Sequence, residues 1–110
     1  MIRNTLLRKE LKRWCGILIK KYKPEKMILF GSLTNGHIHR WSDIDLIIIK
    51  NDTNSSFFDR IKDVMLLINP KVDCDILVYT PKEFKHMCRT RTFFRQEIIP
   101  KCRVLYERGS

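Results

Sequence analysis

Gly31 and Ser32, followed after ten residues by Asp43-Ile44-Asp45, combine the residue types and spacing best suited to chemistry in this chain. A Gly-Ser turn lets backbone amides come close to a phosphate, because glycine has no side chain to block the approach. Two carboxylates at i and i+2 of a strand project from one face, where they can share hard cations. Together these residues describe a site for a metal-bound nucleoside triphosphate.

The elements that must position them can be read from periodicity. Leu7, Leu11, Trp14, Leu18 and Tyr22 recur at three- and four-residue steps with Arg and Lys largely between them, which predicts an amphipathic helix from about residue 2 to 22, ended near Pro24. Lys26 to Phe30 reads as a buried strand running into Gly31, Ser32 to Ile38 as a short helix, and the Ile-rich run Asp43 to Lys50 as a second strand. Phe57, Ile61, Val64, Met65 and Ile68 trace a helical stripe that stops before Asn69-Pro70.

Val72 to Tyr79 reads as a third strand, with Asp73, Asp75, Leu77 and Tyr79 sharing one face. Thr80-Pro81-Lys82-Glu83 has the layout of a capping box, so a helix is expected from Pro81 through Phe84 and Met87. Thr92 to Ile99 suggests a further short helix, and Val104 to Tyr106 an edge strand. Alternating helices and strands predict a small α/β layered domain, a mixed β-sheet packed with helices, over residues 1–107, with 108–110 as a tail. Strand order and direction do not follow from this pattern.

A chain of 110 residues forms one core, and its 44% hydrophobic and 31% charged content fits a soluble globular protein. The longest apolar runs are far too short to span a bilayer, and the N-terminus has no signal-peptide core, so a cytoplasmic protein without membrane contact is expected. Cys15, Cys74, Cys88 and Cys102 lie far apart with no Cys-x-x-Cys pair, which favours reduced thiols over a zinc site. The net charge of +10 is uneven: +7 over residues 1–26, −2 over 27–81 and +5 over 82–110. Basic flanks thus frame an acidic middle, either as solvated helix faces or as surfaces for an anionic ligand or partner.

The arrangement Gly31-Ser32, ten residues, Asp43-Ile44-Asp45 resembles the signature of the nucleotidyltransferase superfamily that includes DNA polymerase β. Length and element order are similar to its minimal members, the MNT domains, across essentially the whole chain. That resemblance implies a third carboxylate on a later strand followed by a turn and helix, the place held here by Asp75 in Asp75-Ile-Leu-Val-Tyr-Thr-Pro81. Asp73 lies on the same strand face, and Asp75 is preferred for its register with that run. By the resemblance, Asp43, Asp45 and Asp75 hold a pair of Mg²⁺ ions, and Asp75 acts as general base toward the incoming hydroxyl. Gly31, Ser32 and, as a weaker contact, Ser42 bind phosphate oxygens of ATP.

The 110 residues hold little beyond such a core. The acceptor surface is therefore expected from another protein or from a second copy of this chain. Similar minimal members are antitoxins whose partner is a HEPN-domain ribonuclease toxin, which implies transfer of AMP from ATP to a tyrosine of that toxin. The alternative is a non-catalytic binding module that neutralises its partner by occlusion, using the basic first helix with its Leu and Trp side as the contact. No aromatic-rich RNA motif accompanies the basic flanks, so direct nucleic-acid binding is not expected.

Overall fold

The computed structural model describes residues 2–30, 44–51 and 54–109. Helix α1 spans Ile2–Ile17 and continues as a π-helical segment over Leu18–Tyr22. Lys23 ends it in the left-handed conformation, its N–H donating to the Leu18 carbonyl, and Pro24 prevents continuation. Strand β1 is Lys26–Phe30, β2 is Ile44–Ile49, helix α2 is Phe57–Ile68, and β3 is Cys74–Tyr79. Helix α3 is Pro81–Thr90, a π-helical turn covers Phe94–Ile98, and β4 is Arg103–Glu107. The short helix expected over residues 32–38 lies outside the described residues.

The sheet is mixed, with strand order β3-β2-β1-β4. β1 pairs antiparallel with both β2 and β4, whereas β2 and β3 run parallel, joined by the crossover that contains α2. A parallel pair needs helical cover on its faces, and such strands read as near-continuous apolar runs. That explains why every residue of Ile44–Ile49 is buried. On one face, Ile44, Leu46, Ile48, Ile76 and Val78 pack against Leu7, Leu11, Trp14 and Leu18 of the first helix and against Val64 and Ile68 of α2. On the other face, Ile47, Ile49 and Tyr79 pack with Ile28, Phe30, Phe94 and Ile98, joined by Phe84 and Met87 of α3.

Two expectations change. The Leu and Trp side of α1 is core, since Trp14 and Leu18 are fully enclosed, so it is not a contact surface for a partner. The face of α1 that remains outside is the basic one. The third strand also begins at Cys74, two residues later than expected, because the preceding segment is held from α1. There the Glu10 carboxylate accepts bonds from Arg13 (2.7 and 3.0 Å), from Trp14 Nε1 (2.9 Å) and from the Lys71 N–H (2.8 Å). Those hydrogen bonds, Arg13 foremost, outweigh burial and lower the Glu10 pKa from 4.5 to about 2.

The start of α3 is the most tightly specified junction. Thr80 Oγ1 accepts from the Glu83 N–H (3.2 Å) while Glu83 accepts from the Thr80 N–H (2.9 Å), completing the capping box. Buried Arg60 of α2 donates to both Glu83 oxygens (2.7 and 3.0 Å), to the Val78 carbonyl (2.8 Å) and to the Ser55 carbonyl (3.1 Å). One guanidinium therefore ties α2, β3 and α3 together. No helix among the described residues is long and apolar enough to cross a membrane.

Candidate active site

Asp45 is the second residue of β2 and Asp75 the second of β3, and the parallel register sets them directly opposite one another. Their neighbours Ile44, Leu46, Cys74 and Ile76 belong to the core under α1 and α2, so strand alternation aims both carboxylates at the opposite face, the one that Phe30 and Tyr79 share. Asp45 is 1% exposed, while Asp75 is open to solvent. Across the other strand boundary the partner of Asp45 is Phe30, the last residue of β1. The pair thus has an apolar ring on one side and solvent on the other.

Antiparallel pairing brings the C-terminal end of β1 beside the N-terminal end of β2. The chain that carries Gly31 and Ser32 therefore departs from the same sheet end at which Asp45 and Asp75 stand. Gly31, Ser32, Ser42 and Asp43 themselves lie outside the described residues. Asp73 precedes β3; its backbone carbonyl accepts from the Ile44 N–H (3.2 Å), and its side chain is exposed. Asp75, and not Asp73, is the register partner of Asp45.

Negative charge gathers at this sheet end. Asp45 and Asp75 start from strands about 4.8 Å apart and set like charge beside like charge. The effect reaches Cys74, whose thiol is pushed up to about 11, first by burial and then by Asp75, Asp73, Asp45 and Glu10. Hard oxygen donors side by side suit Mg²⁺, which prefers carboxylate and water oxygen and takes one or two carboxylates from a protein. Asp45 and Asp75 fit that requirement by donor type and placement. Among the described residues no group of three His, Cys, Asp or Glu forms a metal-ligand set; Asp43 stands outside them.

The family model described as Polymerase beta, nucleotidyltransferase, matches residues 15–110. The chain belongs to this nucleotidyltransferase family. Its fold is similar to that of a Sulfolobus solfataricus protein whose crystal structure is described as a "putative nucleotidyltransferase". The TM-score is 0.68 at 18% identity, with 96% of this chain and 85% of that chain covered. No curated protein matches the sequence.

Two features of this candidate site carry no local signal in the sequence. Phe30 as the wall beside Asp45 follows only from the antiparallel register. The Arg60–Glu83 clamp, which fixes the far end of β3, joins residues 23 positions apart. The sequence marks Glu83 as a capping residue, yet nothing local marks Arg60 as its partner.

Proposed function

We propose that the chain is a Mg²⁺-dependent nucleotidyltransferase that moves AMP from ATP to a protein hydroxyl, a tyrosine of a HEPN-type ribonuclease toxin, and so acts as that toxin's antitoxin. The observation that carries the catalytic part is the side-by-side placement of Asp45 and Asp75 at the sheet end from which the Gly31-Ser32 segment departs. The HEPN partner and the tyrosine rest on the resemblance to minimal antitoxins, and the cytoplasmic setting is the expectation from the sequence.

In this reading Asp45 and Asp75, with Asp43, hold the divalent ions, which when bound offset triphosphate charge and polarise the reacting oxygens. Asp45, enclosed at the base of the site, gives a fixed ligand position because its strand is buried on both faces. Asp75, open to solvent on the neighbouring strand, faces the incoming acceptor and takes the proton of its hydroxyl. The acceptor oxygen then forms a bond to the α-phosphorus as the bond to the β-phosphate bridging oxygen breaks, and pyrophosphate leaves with the electron pair. Gly31 and Ser32, with Ser42, bind phosphate oxygens through backbone amides and hydroxyls.

The test is incubation of the chain with ATP labelled at the α-phosphate, Mg²⁺ and the protein encoded beside it. Label on the neighbour, lost when Mg²⁺ is chelated, is the expected result. A folded pair that binds stably and remains unlabelled overturns the transfer reading and favours occlusion.

A further inference from the structure

Helix α3 carries no fully buried residue, and between it, the N-terminal turn of α2 and the C-terminal end of β3 lies an open groove of about 580 Å³. Its floor is apolar, built from Phe57, Tyr79 and Met87. Its rim is Lys82, His86 and Arg89, all exposed and spaced by four and three residues, so they form one stripe along α3. The stripe extends about 10 Å, seven residues at 1.5 Å each. Glu83 is the one acidic lining residue, and Arg60 already holds both of its oxygens. What faces outward is therefore the charge of Lys82 and Arg89, with the His86 imidazole between them, around an apolar bed.

We propose that this groove docks an acidic amphipathic helix of a partner protein. Apolar side chains on one face of such a helix fill the bed over Phe57, Tyr79 and Met87. Carboxylates at i, i+4 and i+7 match the spacing of Lys82, His86 and Arg89, as in helix-in-groove recognition. A second copy of this chain is a poor occupant, because each copy carries a net charge of +10. A nucleic acid is also a poor one, since Tyr79 is only 8% exposed and offers no open ring face for base stacking. Identifying the docked protein with the acceptor of AMP rests on the function proposed above; the docking chemistry does not. Tyr79 and Asp75 alternate on the same face of β3, so a protein seated here lies along the strand that carries the catalytic carboxylate.

Met87 supplies a direct reporter. The full chain, labelled at its methionine methyls, is titrated without ATP or Mg²⁺ with a synthetic helix of Glu and Leu, with its Lys-for-Glu counterpart and with a single-stranded RNA 12-mer. The expected result is a shift of the Met87 methyl by the Glu peptide, with buried Met27 as an unmoved reference. Lys82→Glu with Arg89→Glu should weaken that binding about tenfold, and both exposed replacements leave the circular dichroism of the fold unchanged. An unmoved Met87 methyl, equal binding of the Lys peptide, tighter binding of the RNA, or no loss in the double variant each overturns the proposal. Because nothing is transferred in this titration, its failure is separate from a failure of catalysis.

Discussion

Glu10 and Asp45 are the two carboxylates buried among the described residues, and their neighbours differ. Glu10 is enclosed by donors from its own helix and from the Lys71 backbone, a site in which ionisation favours folding. Asp45 has a phenyl ring on one side and a second carboxylate on the other. Placing like charge beside like charge does nothing for the fold, and such placements cluster where a cation or substrate is to be held. The first region is an internal fastening, and in the proposed function the second holds a divalent ion.

Substitution should separate the two roles. Asp45→Asn is expected to reduce transfer of label by on the order of 10²–10³-fold, and to abolish any rise in Tm on adding Mg²⁺, while Tm without Mg²⁺ falls by less than it does for Glu10→Ala. A parallel loss of Tm without Mg²⁺ would erase the contrast with Glu10. Glu10→Ala should do the reverse. It leaves the Trp14 indole N–H, the Lys71 N–H and the Arg13 guanidinium short of an acceptor, a cost of about 3 kcal/mol. Denaturant midpoints would read that cost, and turnover per folded molecule should remain within about twofold of the parent.

Acid unfolding sharpens the comparison. The folded-state pKa of Glu10 lies below its ordinary value of 4.5, at about 2. Its contribution is therefore fully present above pH 4.5 and is lost as pH falls from there through 2. The amount at stake is on the order of 3 kcal/mol, and Glu10→Gln should flatten the stability curve across that window. An equally steep acid limb in the variant would assign the loss to other carboxylates. The smallest expected effect is at Asp73. Its carbonyl bond to Ile44 survives Asp73→Asn, so stability should change by no more than about 0.5 kcal/mol. Label transfer should stay within about threefold, whereas Asp75→Asn should lower it about 10²-fold.

Much of this architecture was legible from local pattern. The β1 bounds, Lys26 to Phe30, and the α2 bounds, Phe57 to Ile68, coincide with the hydrophobic runs and stripes that signalled them. The Thr80–Glu83 capping box formed because its partners lie three residues apart. Period-two alternation put Asp75 on the face away from Ile76 and Val78, which is where it stands. Long-range features were not legible. Glu10, set among Arg and Lys, reads as part of a solvated face until Lys71 is brought to it from 61 positions away. Arg60 likewise looks like an ordinary charged helix residue. The π-helical segments at Leu18–Tyr22 and Phe94–Ile98 had no signature beyond the prolines near their ends. Of the candidate site, Asp45 and Asp75 are brought together, and Gly31, Ser32, Ser42 and Asp43 lie outside the described residues.

The parallel alignment of β2 with β3 also dictates which length changes this protein can absorb. Deleting Leu46 would move Asp45 into its place, toward the core that holds Trp14, and exchange an aliphatic contact for a charge in the oil-like interior. An extra residue near Asn54, ahead of α2, meets no such penalty, because the crossover can take up slack before the next strand begins. Relatives of differing size should therefore vary in the connecting segments and hold the spacing inside these two strands constant.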